Sequence, residues 1–236
     1  MLSFVVPAHN EELELPATLQ AIRAAANASK HDYEIIVVDD ASTDATAEIA
    51  GQFKARVVPV NFRQIAAVRN AGARAARGDI LFFVDADTQI APIHVTGALD
   101  CLTSGYVGGS ARIVVDREMP TWARIFIKSF CTLYFAAKLG AGAFLFTRRE
   151  SFEAVGGFDE QFFAGEEVYF SMALKKLGRF KILPEPVVTS ARKIRMHKPH
   201  FVLAQSLLII FGGQWALRKR ERLALWYDGR RESPSA

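Results

Sequence analysis

The sequence predicts an α/β fold with a mostly parallel central sheet, flanking helices and a C-terminal helical segment. Strand-like and helix-like segments alternate four times within the first 85 residues, which is the pattern of a parallel sheet covered by helices. The strand-like segments are mostly apolar, and the fourth is apolar throughout, as a strand buried on both faces is. They lie at residues 4–7, 33–38, 56–60 and 80–84. Polar residues follow three of these segments, which is where open α/β sheets bind their ligands.

The segments between the strands carry helical signals. Apolar residues recur at helical spacing from Leu15 to Ile22, which predicts a helix after the first strand. Ser42 or Thr43 is a candidate cap for the second helix. A third helix, rich in alanine and arginine, is predicted over residues 65–77 and should stop at the following glycine.

The second half of the chain is less regular. It predicts a helix over residues 95–102, a strand within 106–115, a long apolar and aromatic segment over 121–139, and a strand formed from residues 140–146. No internal repeat or low-complexity linker divides the chain. We therefore expect one catalytic-type domain over residues 1–200 and a C-terminal amphipathic helix with a basic tail over residues 201–236.

Composition limits the classes of function. The 236 residues are 50% hydrophobic, with a formal net charge of +4. This mild basicity suits anionic ligands or an anionic membrane surface, and no basic run interleaved with aromatic residues indicates nucleic-acid binding. Cys101 and Cys131 have neither metal-ligand spacing nor a disulfide framework, which favours a reducing compartment. Without a signal-peptide pattern at the N-terminus, we expect a cytoplasmic protein, or one at the cytoplasmic face of a membrane.

Acidic and amide side chains follow the first, second and fourth strands. Because the carboxyl ends of parallel strands share one edge of the sheet, these groups should converge. Asp85 and Asp87 end the most apolar strand, and two such hard oxygen donors suit a divalent cation that also contacts a diphosphate. The alternative is that these acids only form turns or cap the next helix.

Six short motifs together resemble glycosyltransferase family 2, whose members have the nucleotide-diphospho-sugar-transferase (GT-A) fold. They are residues 6–12 (VPAHNEE), 38–44 (VDDASTD), 69–72 (RNAG), 85–87 (DAD), 156–159 (GGFD) and 166–167 (EE). Each motif is weak alone, but their order over roughly residues 2–195 is specific. The resemblance implies a glycosyltransferase that takes a nucleotide-diphosphate sugar as donor.

The resemblance also assigns donor-side roles to individual residues. It implies that the nucleotide is contacted by Pro7, Ala8, Asn10 and Glu11, the base by Asp40, the ribose by Asp85, and Mg²⁺ or Mn²⁺ by Asp87 with Asp85 beside it. A cation there would stabilise the nucleoside diphosphate as it leaves. Arg69 is expected to add positive charge at the same edge, unless it is an ordinary solvated helix arginine.

The pair Glu166–Glu167 corresponds to the family's acceptor-side acids. In the family an acid at this place removes the proton of an acceptor hydroxyl, and a single in-line displacement inverts the anomeric centre. The family usually has Glu-Asp here, so Glu167 is the candidate base, with a longer side chain than usual. The alternatives are that Glu166 is the base or that it orients Glu167. The alternative is two acids that only favour the start of a helix.

Three further features leave alternatives open. Residues 61–64 are bulkier than the family's usual glycines, and Arg192 or His197 could reach the diphosphate. Residues 201–217 carry no charge and precede a basic run, so they form either an interfacial helix with peripheral membrane contact or a helix packed on the sheet. Membrane contact would suit a lipid or a lipid-linked sugar as the acceptor, and the acceptor is otherwise an unknown sugar. The rival functions are a nucleotidyltransferase and a non-catalytic member that binds a nucleotide sugar or a partner.

Overall fold

The computed structural model describes residues 1–115, 134, 135 and 139–223. Its strands are β1 (Leu2–Ala8), β2 (Tyr33–Asp40), β3 (Arg56–Val60), β4 (Ile80–Val84), β5 (Thr88–Gln89), β6 (Tyr106–Val115), β7 (Phe144–Arg148) and β8 (Arg179–Thr189). Its helices are α1 (Leu15–Ser29), α2 (Thr46–Gln52), α3 (Ile65–Ala75), α4 (Pro92–Thr103), α5 (Arg149–Ala154), α6 (Glu166–Leu177), α7 (Arg192–Met196) and α8 (Pro199–Leu217).

All of these strands belong to one sheet with the order β3-β2-β1-β4-β7-β6-β8-β5. The first four strands are parallel to one another, as the alternation of elements predicts. Strand β7 runs antiparallel to both β4 and β6, while β6 and β8 are parallel. The mixed α/β architecture with a mostly parallel sheet is therefore confirmed.

Helices cover the two faces of the sheet, and successive residues of a strand serve opposite faces. In β4, Phe82 and Val84 face a core formed with α1 and α4, whereas Leu81 and Phe83 face a core formed with α3 and α6. This double burial is why the central strands read as continuous apolar runs. Phe82 stacks on Phe4 of β1 with ring centroids 4.8 Å apart.

Helix α3 packs closely on β1 and β2 because one of its residues is glycine. A Cβ on Gly72 would overlap Val5 Cγ1 and lie 2.8 Å from Val38 Cγ2. The absence of a side chain lets the helix approach the sheet, which positions Arg69 and Asn70 on the preceding turn. The site described below depends on this approach.

Two local predictions for helix ends need correction. Neither Ser42 nor Thr43 caps α2, which begins at Thr46 after Ala45 without a side-chain cap. Instead, Asp44 accepts hydrogen bonds from the backbone N–H and the hydroxyl of Thr46. Ser42 Oγ accepts a hydrogen bond from the Asn10 N–H in the loop after β1. Helix α3 ends at Ala75, two residues before the predicted end.

The C-terminal helix α8 is apolar and bends at Gly213, whose φ is +50°. Its last turn packs against the loop before α6, where the Phe163 N–H donates to the Leu217 carbonyl over 2.8 Å. Within the described residues, no helix combines the length and the hydropathy needed to span a bilayer. The apolar segment predicted over 121–139 lies almost entirely outside the described residues.

Candidate active site

The carboxyl ends of β1, β2 and β4 bring three loops together at one edge of the sheet. The Asn10 N–H donates to Ser42 Oγ over 3.0 Å, and Asn10 Oδ1 accepts the Thr43 N–H over 2.8 Å. These contacts join the loop after β1 to the loop after β2. Asn10 has a φ of +54°, a region that asparagine tolerates better than most residues. Pro7 and Ala8 end β1 as buried residues directly before this junction.

Asp40 shapes the loop that follows β3. Its Oδ1 accepts the backbone N–H groups of Phe62 and Arg63 over 2.7 and 3.0 Å, and the residue is 6% exposed. The ring of His9 lies between this loop and β2, with Nδ1 2.8 Å from the Asp40 carbonyl and an Arg63 nitrogen in contact with the ring. The acid predicted to contact the base therefore also holds the loop after β3 in place.

Arg192, at the start of α7 after β8, reaches the same edge of the sheet. Its two terminal nitrogens donate to Glu11 over 2.5 Å each, and Nη2 lies 3.3 Å from Asp87 Oδ2. Burial alone would lower the pKa of Arg192, but Glu11 and Asp87 outweigh it and raise that pKa. Asp87 Oδ1 is also 3.4 Å from the Thr189 hydroxyl at the end of β8.

Arg69 is a buried bridge and not a solvated helix arginine. It is 2% exposed, and its Nη2 donates to Asp85 Oδ1 over 2.7 Å and to the Gly142 carbonyl over 3.1 Å. Its Nη1 donates to Glu166 Oε1. Burial lowers the pKa of Arg69, but Asp85 and Glu166 more than reverse this and raise it. One guanidinium therefore connects the acid at the end of β4 to the acid at the start of α6.

The two glutamates lie in the first turn of α6, where acids also interact favourably with the helix dipole. Burial raises the pKa of Glu166, an effect that Arg69 opposes. Burial, followed by the neighbouring charge of Glu166, raises the pKa of Glu167 to about 8, again against the influence of Arg69. A carboxyl group with a pKa of about 8 is a stronger base than an ordinary glutamate once it is ionised, and a fraction of it is ionised near neutral pH.

Asn70 connects two of the sequence motifs. Its Oδ1 accepts the Phe158 N–H over 2.9 Å, and its Nδ2 donates to the Phe158 carbonyl over 2.8 Å and to Glu160 Oε1 over 2.9 Å. Gly157 has a φ of +75°, and a Cβ there would lie 2.7 Å from Asn70 Oδ1. The glycine motif is therefore a loop held by the helix that also carries Arg69.

The chemistry of Asp85 and Asp87 fits a divalent cation shared with a ligand. The two carboxylates lie on the turn between β4 and β5, and their side chains are 33% and 17% exposed. Mg²⁺ usually takes one or two carboxylates together with water and substrate phosphates. In the part of the chain that the structure describes, no three His, Cys, Asp or Glu side chains form an all-protein metal site.

Residues 3–183 match the sequence model of glycosyl transferase family 2, and the chain belongs to this family. It is 38% identical over 102 residues to an undecaprenyl-phosphate 4-deoxy-4-formamido-L-arabinose transferase of Pseudomonas fluorescens, which is 40% of this chain and 30% of that protein. The enzyme of the same name from Pseudomonas savastanoi is 34% identical over 132 residues. That match covers 52% of this chain and 38% of that protein. The chain spans about a third of the length of these curated relatives.

Solved structures share the fold at lower identity. S. aureus TarS 1–349 in complex with UDP-GlcNAc superimposes with a TM-score of 0.64 at 20% identity, over 81% of this chain and 58% of that one. The mannosyltransferase PcManGT from Pyrobaculum calidifontis, in complex with GDP-Man and Mn2+, superimposes with a TM-score of 0.63 at 21% identity. The match covers 95% of this chain and 68% of that one. The predicted GT-A fold is therefore confirmed.

The sequence did not predict the partners of the two arginines. From the sequence, Arg192 was only one of two residues that could reach the diphosphate. No role was predicted for Gly142, whose carbonyl accepts a hydrogen bond from Arg69. A Cβ on Gly142 would lie 2.8 Å from Arg69 Nη2, so the glycine makes room for the guanidinium. The signal in the sequence was the position of Arg69 in a motif on an alanine-rich helix, whereas its burial and its acidic partners became evident only in the fold.

Proposed function

We propose that the protein is an inverting, metal-dependent glycosyltransferase that moves a sugar from a nucleotide-diphosphate donor to an acceptor. The observation that carries the proposal is the bridge from Asp85 through Arg69 to Glu166. It joins the acid at the donor edge of the sheet to the acid pair on α6, so both substrates would meet in one site. The family of the chain supports the same reaction class.

In this proposal the donor lies along the edge formed by β1, β2 and β4. Asn10, in the loop after β1, and Asp40, at the end of β2, hydrogen-bond to neighbouring loops, which would present a fixed surface to the nucleotide. Pro7, Ala8 and Glu11 complete that surface. The complexes with UDP-GlcNAc and GDP-Man among the structural neighbours support a nucleotide-sugar donor of this kind.

Asp85 and Asp87 would hold Mg²⁺ or Mn²⁺ together with the diphosphate. When bound, the cation supplies positive charge that stabilises the leaving nucleoside diphosphate. Mn2+ is present in the complexes of PcManGT and of glucosyl-3-phosphoglycerate synthase from Mycobacterium tuberculosis. Arg192 already contacts Asp87, so it is close enough to share the added negative charge.

Glu167 is proposed as the group that accepts the proton of an acceptor hydroxyl. Its raised pKa, about 8, makes the ionised form a stronger base than an ordinary glutamate, and a fraction of that form is present near neutral pH. Glu166 is held by Arg69 and would orient its neighbour. Attack from the side opposite the leaving diphosphate would invert the anomeric centre.

The acceptor is proposed to be lipid-linked. The curated relatives are named as undecaprenyl-phosphate transferases, and α8 offers an exposed apolar end beside basic residues. Leu207 is 48% and Trp215 is 62% exposed, and the Arg222 guanidinium lies over the Trp215 ring. An aromatic side chain flanked by cations suits the interface of an anionic bilayer.

Calorimetric titration of UDP and GDP, and of their common sugars, with and without Mn²⁺ tests the donor site. We expect one nucleotide to bind in a metal-dependent manner, and Asp87→Asn to weaken that binding at least about tenfold, since it removes a charged ligand of the cation. Asp100→Asn, an exposed acid on α4, is the control and should bind as the wild type does. Metal-independent binding that Asp87→Asn leaves intact would contradict the proposed cation site.

Transfer assays on vesicles separate the classes of acceptor. With a hydroxyl acceptor, Glu167→Gln should lower kcat by about 10²–10⁴-fold, because the general base is lost. With a polyprenyl phosphate as acceptor, the same variant should lose far less of its kcat, because the phosphate is already anionic and needs no base. Nucleotide binding without any transfer would favour the non-catalytic candidate.

A further inference from the structure

Arg69 contacts two acids that belong to different halves of the proposed site. It reaches Asp85 at the end of β4 with Nη2 and Glu166 at the start of α6 with Nη1. We propose that Arg69 is a positioning residue that ties these halves together and sets the charge of the Glu166–Glu167 pair. This inference rests on the proposed function and adds a residue that acts through the base.

The surroundings of Arg69 select a guanidinium. Its two terminal nitrogens diverge toward acids on separate elements, which the fork of arginine allows and the single nitrogen of lysine does not. The Gly142 carbonyl accepts from Nη2, and Gly142 lacks the side chain that would collide there. The guanidinium carbon lies 5.4 Å from the centre of the Phe158 ring. Its orientation is therefore fixed on several sides.

The charge balance shows why this contact matters for the base. Three carboxylates, those of Asp85, Glu166 and Glu167, act on the one guanidinium of Arg69. Burial of both glutamates, together with the charge of Glu166 beside Glu167, favours retention of a proton by the pair. Arg69 opposes this tendency in both glutamates. Weakening its contact with Glu166 should therefore raise the pH at which the base becomes available.

A purely structural ion pair would behave differently. Its loss would lower stability, and any loss of rate would be the same at every pH, so the acid limb of the pH–rate profile would not move. A residue that sets the charge of the base moves the acid limb of the pH–rate profile, and two substitutions should move it in opposite directions. Arg69→Lys keeps a cation but loses the fork, whereas Glu166→Gln removes the like charge beside Glu167.

The experiment measures kcat against pH for the wild type, Arg69→Lys and Glu166→Gln. We expect the acid limb to move up by about one pH unit in Arg69→Lys and down by a similar amount in Glu166→Gln, the size of shift that one nearby charge produces. Arg74→Lys, an exposed arginine on the same helix, is the matched control and should not move it. Limbs that coincide in all four proteins would overturn the proposal.

A second readout does not depend on turnover. Carbon-13 NMR of glutamate labelled at Cδ follows the titration of Glu167 in the substrate-free protein, and Glu167→Gln identifies its signal by subtraction. We expect the titration midpoint of Glu167 to rise in Arg69→Lys and to fall in Glu166→Gln. If they occur while no acceptor is glycosylated, the charge-setting role of Arg69 stands and the proposed function fails. If transfer occurs but the Glu167 signal titrates identically in every variant, the role of Arg69 fails and the proposed function stands.

Discussion

Arg192 donates both terminal nitrogens to the carboxylate of Glu11, a residue 181 positions earlier in the chain. The contact connects the segment after β8 to the loop after β1. Asp87, from the turn after β4, joins the same guanidinium at 3.3 Å. The edge of the sheet that carries the proposed donor site is therefore closed by one buried arginine.

Replacing Arg192 should destabilise the protein strongly. Arg192→Met keeps the apolar part of the side chain but leaves Glu11 and Asp87 without their cation in a buried place. Removing one partner of a buried ion pair typically costs about 3–5 kcal/mol. Urea unfolding at neutral pH measures the change in the free energy of unfolding.

Lys198→Met is the matched control for this experiment. It removes one positive charge from the same segment, but Lys198 is exposed. A surface substitution of this kind should change stability by less than about 0.5 kcal/mol. Equal effects of the two substitutions would show that the pairing with Glu11 contributes no stability.

The first half of the fold was predictable because its signals are local. Apolar runs buried on both faces identified β1, β2 and β4, and the parallel arrangement followed from the alternation with helices. The same reasoning located Asp85 and Asp87 after a strand. These predictions need only the period of the hydrophobic pattern and the geometry of a parallel sheet.

The contacts of the two arginines were not predictable, because they join residues far apart in the sequence. Arg69 sits on a helix whose other residues pack on the sheet, and nothing nearby indicates that Glu166, 97 residues later, neutralises it. Ser42 illustrates a different failure. Serine is a common helix-capping residue, but the Ser42 hydroxyl accepts a hydrogen bond from the backbone N–H of Asn10 in another loop instead.

The space beside Arg69 gives a second prediction. Gly142→Ala would put a Cβ 2.8 Å from Arg69 Nη2, and the guanidinium cannot move away without leaving Asp85 or Glu166. Overpacking of this kind costs about 1–3 kcal/mol. We expect a loss of stability in that range, together with lower transferase activity.

Gly51→Ala is the control for that substitution. No atom lies within 4 Å of the Cβ position in this helical residue, so alanine should be neutral or stabilise by up to about 1 kcal/mol. Thermal unfolding of both variants separates collision from the general effect of replacing glycine. A Gly142→Ala protein as stable and active as the control would show that Arg69 can move freely.

Asn70 should be sensitive to an isosteric change. Asn70→Asp keeps the acceptor for the Phe158 N–H but loses the donor to the Phe158 carbonyl and faces Glu160 with a like charge. An unsatisfied buried group of this kind costs about 1–3 kcal/mol. Adding Glu160→Gln should recover part of the loss, because it removes the repulsion. Additive effects of the two changes in urea unfolding would argue against direct coupling.

The glutamate pair gives the protein a specific dependence of stability on pH. The pKa of Glu167 is raised to about 8 in the folded protein, whereas a glutamate in an unfolded chain titrates near about 4.3. The folded state thus holds its proton more tightly. The resulting stabilisation is fully present below the unfolded pKa and is lost as the pH rises through the folded pKa.

We therefore expect the free energy of unfolding of the wild type to fall between about pH 5 and 8, and Glu167→Gln to reduce that slope, since glutamine cannot release a proton. Glu166, whose pKa is also raised, contributes in the same direction and leaves a residual slope in the variant. Glu150→Gln, whose side chain is 79% exposed, is the control and should follow the wild-type curve. Urea unfolding at a series of pH values gives the three curves. Parallel curves for the wild type and Glu167→Gln would mean that Glu167 titrates as an ordinary surface glutamate, and its proposed role as a base near neutral pH would lose its physical support.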